Sequence, residues 1–247
     1  TQDNRLGIAH ASKMATEYLL SDEAFLLSGK INGAATAKGQ AHNEKFAKHL
    51  TAMGEPYESF DAKQMREITG SYYYQNGLFT PGTAMIQPAM YIRGVAHGLG
   101  HDGVMIYEDS PVTALNNNGS WVVETPQGQV SSPRVILAVN GHLNSFGYAK
   151  SRLMHVFTYA SMTRALTPQE IGKLGGNPIW GLTPADPVGT TVRRISGKGG
   201  DRLIIRNRFT FDPTLEVSPK RIAKIGHDHD ASFLHRFPDL SLSLIHI

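Results

Sequence analysis

Three pieces of one stretch, Val104-Met-Ile-Tyr107, Trp121-Val-Val-Glu124 and Arg134-Val-Ile-Leu-Ala-Val-Asn-Gly141, set the fold class. Asp102-Gly103 closes a helix, and Val104–Tyr107 then reads as a short buried strand. Val112-Thr-Ala-Leu115 begins a second strand, Asn117-Asn-Gly119 turns it, and Trp121–Glu124 returns. Gln127-Gly128 turns the chain again. Asn-Gly and Gly at those places supply the positive φ that tight hairpins require. Arg134–Gly141 is an apolar run that breaks at a small polar tip, as a buried parallel strand does. The order is strand, meander, strand, and with the helices read on either side the chain falls in the α/β class.

The flanks read as helices and strands in alternation. Ile8–Leu20 is amphipathic, and Phe25–Ala35 is a bent strand or strand pair punctuated by Gly29 and Gly33. Ala41–Met53 is a helix stopped by Gly54 and Pro56. Asp61 caps a short helix, Ala62–Ile68, with Gln64 placed to bond back, and Gly70 ends it. Pro88–Leu99 is a further helix, and Leu153–Leu166 reads as a long strand. Thr167-Pro168 opens a helix, with Pro at its first position. Thr190–Ile195 and Arg202–Arg208 form a hairpin around Gly197-Lys-Gly-Gly-Asp201, and Pro219–Phe237 is the final helix.

Composition narrows the function classes. A chain of 247 residues with 40% hydrophobic content buries a sizeable core. A net charge of +3 without a basic, aromatic-interleaved stripe argues against nucleic acid. The absence of Cys removes disulfides, thiolate metal sites and Cys nucleophiles, and it is compatible with a reducing, cytoplasmic setting. No apolar run approaches the roughly 18–20 residues of a membrane span. Thr1–Arg5 has no signal-peptide character and no initiator Met, so the chain is expected to begin mid-protein. Leu242-Ser-Leu-Ile-His-Ile247 is the one-frame translation of a transposon end used in sequencing libraries. That tail reads as adaptor-derived and stays outside the fold argument.

Several strings mimic chemistry without its context. Gly98-Leu-Gly-His-Asp-Gly103 matches G-x-G-x-x-G, but it follows a helix and precedes a strand. A phosphate cradle needs the reverse order, with the helix N-terminus facing the anion. His97 and His101 have metal-pair spacing but no Glu beside the first His. His227, His229 and His235 read as a solvated helix face, so no metal is expected. Asn118-Gly-Ser120 reads as a hairpin turn rather than a glycosylation acceptor.

The run Arg134–Gly141 resembles a strand of the D-amino-acid-oxidase-like FAD-dependent oxidoreductases. Gly77–Pro88 with Tyr91–Leu99 resembles that family's return from substrate domain to FAD domain. Trp180–Pro187, Thr190–Gly197 and Phe211–Pro213 resemble the branch that includes gamma-glutamylputrescine oxidoreductase. The resemblance covers roughly Gly29 to Phe237. It implies a partial Rossmann-like FAD-binding sheet with a β-meander, interleaved with an antiparallel-sheet substrate domain. The implied assignment is 1–22 and 86–150 to the FAD domain, 23–85 and 151–222 to the substrate domain. Residues 223–241 would be a helix leading to an absent C-terminal FAD segment.

The resemblance also implies the chemistry: oxidation of an amine or amino acid C–N bond by hydride transfer to FAD, with a small-molecule amine as partner. A gamma-glutamyl-polyamine is one such amine. The isolated chain would be inactive for want of the Gly-rich FAD unit. Ala138, Asn140 and Gly141 would lie near the ADP part of FAD, and Val112 would offer backbone hydrogen bonds to adenine; the same residues also suit a strand that merely ends in a turn. Strand alternation puts Arg193 on one face with Arg206 and Arg208, and Arg194 on the other. A carboxylated amine favours the guanidinium fork of Arg193, although exposed hairpin arginines read the same way. Tyr72, with Tyr73 and Tyr74, either lines an amine pocket or packs. No catalytic residue is singled out. The alternatives are a flavin dehydrogenase passing electrons to an acceptor other than oxygen, and a non-catalytic remnant or interaction domain.

Overall fold

The structure, a computed structural model, describes residues 2–212 and 216–240 and the backbone of 244–246. The chain divides into two compact units. Unit 1 comprises residues 1–95, 157–210 and 217–247, and unit 2 comprises residues 96–156 and 211–216.

In unit 1 the helices are α1 (Gln2–Glu17), α2 (Ala37–Ala52), α3 (Ala62–Thr69), α5 (Pro168–Leu174) and α6 (Pro219–Arg236); α4 (Pro88–His101) crosses the unit boundary. The strands are β1 (Phe25–Leu26), β2 (Lys30–Ala34), β3 (Glu58–Asp61), β4 (Asn76–Thr80) and β5 (Met85–Ile86), then β9 (Val156–Thr163), β10 (Trp180–Pro184), β11 (Thr191–Ile195), β12 (Arg202–Phe211) and β13 (Leu244–His246). The largest sheet has the order β13-β9-β12-β11-β10-β2-β4-β3. It is mixed rather than purely antiparallel, because β10 runs parallel to β2. A second, two-stranded sheet pairs β1 with β5.

Local chemistry accounts for these boundaries. Asp61 accepts from the Gln64 N–H at 2.9 Å, while Gln64 Oε1 accepts from the Asp61 N–H at 3.0 Å. This capping box satisfies two orphan donors at the start of α3. Gly70 ends α3 with φ of 73°, the left-handed conformation glycine adopts without strain. Thr167 and Glu170 make the same reciprocal box at α5, with Pro168 in the first turn. Ser218 caps α6 ahead of Pro219.

One face of the large sheet carries the core. Val192, Leu203, Ile205 and Leu182 pack with Met65 of α3, Leu174 of α5, and Phe233 and Phe237 at the end of α6. Phe233 and Met65 are fully buried. His229 of α6 is buried as well, with its Nδ1 2.6 Å from Ser161 Oγ. The solvated face expected for the α6 histidines therefore holds for His227 and His235 only. The error comes from periodicity: His229 is four residues from both Ile225 and Phe233, on the buried stripe.

Glu170 also sets an acid limit. The Arg164 guanidinium first, at 2.7 and 2.8 Å, and then the Thr167 N–H hold its carboxyl down at about 2, from an ordinary 4.5. Arg164 is half exposed, so solvent screens the pair and its contribution is small. With the folded value below the unfolded one, the contribution is present above about pH 4.5 and is lost as pH falls towards 2. Glu170→Gln should flatten the acid limb of a Tm-against-pH curve in that window. An unchanged slope would place the acid sensitivity elsewhere.

Unit 2 contains the meander as expected: β6 (Ala114–Asn117), β7 (Trp121–Thr125) and β8 (Gly128–Ser132) pair antiparallel in order. The turn at Asn118-Gly119 has Gly119 at φ of 90°, and its N–H donates to Asn117 Oδ1 at 3.1 Å. The two flanking segments correct the sequence reading. Val104–Tyr107 forms no ladder and is exposed, Met105 by 79%. Arg134–Val139 likewise forms no ladder, with Ile136 91% exposed. Apolar runs of this kind become buried strands only between neighbours that supply ladder partners, and the described residues supply none. A 3-10 helix, Asn140–Phe146, follows. The long strand expected from Leu153 begins only at Val156.

Leu244–His246 of the tail lies as a short edge strand on Ser161–Thr163 of β9. Backbone pairing to a free edge needs no particular side chains. Pro213, Leu242, Ser243 and Ile247 lie outside the described residues.

Candidate active site

The second face of the large sheet, opposite the core, holds the arginines. The β11–β12 register pairs Thr191 with Arg206, Arg193 with Ile204, and Ile195 with Arg202. Directly paired residues share a face, so Arg193, Arg202 and Arg206 project from one side. Arg194 and Val192 project from the other, with Leu203 and Ile205. Arg194 is 2% exposed and is structural: it pairs with Asp201 at 3.1 Å and donates to the Gly175 carbonyl. Arg208 sits at φ of 67°, which breaks the strand alternation, and pairs with Asp228 at 3.1 Å.

Arg193 lines a cavity of about 370 Å³ within unit 1, with Arg202, Ile204, Met85, Asp22 and Glu23 among its walls. Gly181 lies opposite Arg193 in the β10–β11 register, and a Cβ there would come 3.6 Å from Met85 Sδ. Burial first, and the Arg206 charge second, push the Arg193 guanidinium below its usual range. Arg193 is nonetheless exposed to solvent. Among the described residues no carboxylate lies within 4 Å of Arg193, and a partly desolvated guanidinium in that state is prepared to receive an anion. A larger cavity of about 480 Å³ lies along α2, β3 and β4, lined by Asn43, Asn76 and the oppositely charged Glu44 and Lys48. It offers a ligand amides and one charge of each sign rather than two arginines on one sheet face.

Tyr72 does not join Arg193. It is 64% exposed, with the Arg66 guanidinium 3.7 Å from its ring centroid, and it follows α3 on the core side of the sheet. Of its neighbours, Tyr74 is buried and Tyr73 carries Arg236 at 4.2 Å, so these two pack while Tyr72 faces solvent. Sequence reasoning missed Arg202, Asp22 and Glu23. The hairpin register carried the signal for Arg202, since it falls in the same parity class as Arg193 once Ile195 pairs with it.

Val112, Ala138, Asn140 and Gly141 lie in unit 2. Val112 is 40% exposed, Ala138 and Asn140 are also exposed, and Asn140 has φ of 48°. A Cβ on Gly141 would meet His155 Nε2 at 2.7 Å, and that nitrogen lies 3.0 Å from the Gly141 carbonyl oxygen. The close approach at this glycine is therefore made by His155. His97 and His101 stack edge to face, with their Nε2 atoms 3.2 Å apart. Among the described residues no group of three or more His, Asp or Glu is placed to hold a metal, and no helix is long and apolar enough to cross a membrane.

The model of the FAD dependent oxidoreductase family, DAO, matches residues 5–244. The chain belongs to that family. Its members depend on FAD. A probable oxidoreductase, OrdL, of Rhizobium meliloti is 27% identical over 182 residues, covering 70% of this chain and 41% of that protein. Among solved structures, glycine oxidase from Geobacillus kaustophilus aligns with a TM-score of 0.71 at 17% identity, over 99% of this chain and 63% of its own. L-proline dehydrogenase from P. horikoshii aligns with a TM-score of 0.75 at 16% identity, over 98% and 64%. The chain thus spans about two fifths of the OrdL relative and under two thirds of these structures.

The residues present fit FAD in part. Ala138 and Asn140 are exposed beside the meander, where small side chains leave backbone accessible. Among the described residues, no strand opens through a Gly-rich turn into a helix to receive a pyrophosphate; Gly98–Gly103 runs along the C-terminal end of α4.

Proposed function

We propose that the parent protein oxidises the C–N bond of a carboxylated amine or amino acid. Bound FAD supplies a hydride acceptor. The chain's own part is to hold the substrate: Arg193 receives the carboxylate, and Met85 and Ile204 wall the cavity with apolar surface. Val112, Ala138, Asn140 and Gly141 belong to the cofactor side by family resemblance, and Tyr72 is withdrawn from the substrate site. A gamma-glutamyl-polyamine remains one substrate of the required chemistry. The observation that carries this reading is Arg193, partly desolvated and without an ion-pair partner among the described residues, on the wall of a 370 Å³ cavity. The choice of oxygen or another acceptor is independent of that observation.

In the full-length enzyme, Arg193→Lys should lower kcat/KM for carboxylated amines by about 1–3 kcal/mol in transition-state terms, while sparing uncharged amines. Lysine keeps the charge but loses the bidentate fork. Equal losses on both classes would make Arg193 a structural residue and remove the carboxylate reading.

A further inference from the structure

Arg193 is not alone in its cavity. Arg202 lines the same wall, from the next strand and the same face. Ile195 pairs with Arg202 and Arg193 with Ile204, so the two arginines are diagonal neighbours, with backbone positions about 7–8 Å apart. Arg202 is fixed by the backbone: Nε donates to the Gly199 carbonyl at 3.1 Å, and Nη1 to the Thr163 carbonyl at 2.9 Å. Neither bond neutralises its charge. Among the described residues no carboxylate lies within 4 Å of Arg193, Arg202 or Arg206, although all three share this face. Like charges so close oppose folding unless anions offset them.

The cavity's own acids, Asp22 and Glu23, make no ion pair within 4 Å of either arginine among the described residues. Asp22 is exposed, and Glu23 is turned to the loop, its Oε2 accepting the Lys198 N–H at 3.2 Å. The Gly197–Gly200 turn is thereby held between Glu23 on one side and Arg202 on the other. Arg202 enters the cavity pre-positioned, and among the described residues no hydrogen bond occupies its Nη2.

We infer that this cavity selects a substrate bearing two carboxylates, the first held by Arg193 and the second by Arg202. The inference rests on the carboxylate reading of Arg193 and adds the second anionic group. The fork of Arg193 and the Nη2 group of Arg202, on one hairpin, match the two ends of a short diacid. A monoacid leaves one guanidinium unpaired.

The test is titration calorimetry on the 247-residue chain with three probes of equal length: glutarate, pentanoate and the corresponding ω-amino acid. Glutarate should bind about tenfold or more tighter than pentanoate. Arg202→Gln should erase that preference while leaving pentanoate within about twofold. Arg193→Gln should weaken both acids. Arg202→Lys, which retains the charge, should keep part of the preference and serves where the Gln variant fails a thermal-unfolding check. Equal affinity for glutarate and pentanoate, with Arg193 still required, would overturn the second carboxylate alone. Binding insensitive to Arg193, or no binding of either acid, would overturn the carboxylate reading with it. Tightest binding of the ω-amino acid would assign the far end to Asp22 and Glu23 and overturn the inference.

Discussion

Asp201→Ala is expected to cost unit 1 about 3–5 kcal/mol of unfolding free energy. The Asp201 side chain is 11% exposed and pairs with Arg194, which is 2% exposed. Removing the carboxylate leaves a buried guanidinium with only the Gly175 carbonyl as partner, since Arg194 Nε has none. A buried charge without compensation is among the few sources of a loss this large. The Asp201 backbone carbonyl, which accepts from the Leu166 N–H at 2.8 Å, survives the substitution, so the strand connection itself is not cut. The double variant Arg194→Met with Asp201→Ala should recover most of the loss, because an apolar side chain of similar length replaces the stranded charge. Urea denaturation followed by circular dichroism measures both. A loss near zero for Asp201→Ala, or no recovery in the double variant, would mean that water reaches Arg194 and that the pair contributes little.

The pair Arg193 and Arg194 shows how far strand alternation carries from sequence. Two adjacent arginines have opposite fates because the pleat sends one to the helices and one to the cavity. That division was legible once Gly197–Gly200 was taken as the turn. What alternation cannot supply is the opposite wall. Asp22, Glu23 and Met85 come from segments more than a hundred residues away, and nothing local in those residues announces a cavity. The caps at Asp61, Thr167 and Ser218 were legible for the contrary reason, since each is settled within four residues of chain.

Val104–Tyr107 and Arg134–Val139 failed as strands because apolar character states a preference for burial, whereas a strand also needs a hydrogen-bonding neighbour. The meander between them succeeded because each of its strands is paired with its neighbour in sequence. His229 was misread for want of a phase: a helix with histidines on several faces cannot show from composition which one points inward. The FAD dependence of the family was legible only through resemblance, since no residue pattern in the chain carries the pyrophosphate chemistry.

Gly70→Ala should be the second costly change, at about 3–5 kcal/mol, and Gly54→Ala separates its causes. Both glycines sit at positive φ, 73° for Gly70 and 67° for Gly54. An alanine in that region costs about 1–2 kcal/mol from its own backbone alone. Around Gly54 a Cβ meets nothing within 4 Å, so the conformational cost is all that Gly54→Ala incurs. At Gly70 the Cβ would overlap the Leu174 carbonyl oxygen, which is backbone and cannot rotate aside. Gly70 ends α3 and Leu174 ends α5, and Met65 and Leu174 both press on the core face of the sheet that presents Arg193 on its other side. To relieve the overlap the two helices must separate, which opens packing around Met65, itself fully buried. Thermal and urea unfolding of the two variants give the comparison. Equal losses would show that φ alone governs both sites and that the α3–α5 approach yields freely. A Gly70→Ala loss at least about 2 kcal/mol larger would place the excess in the backbone contact beneath the arginine-bearing sheet.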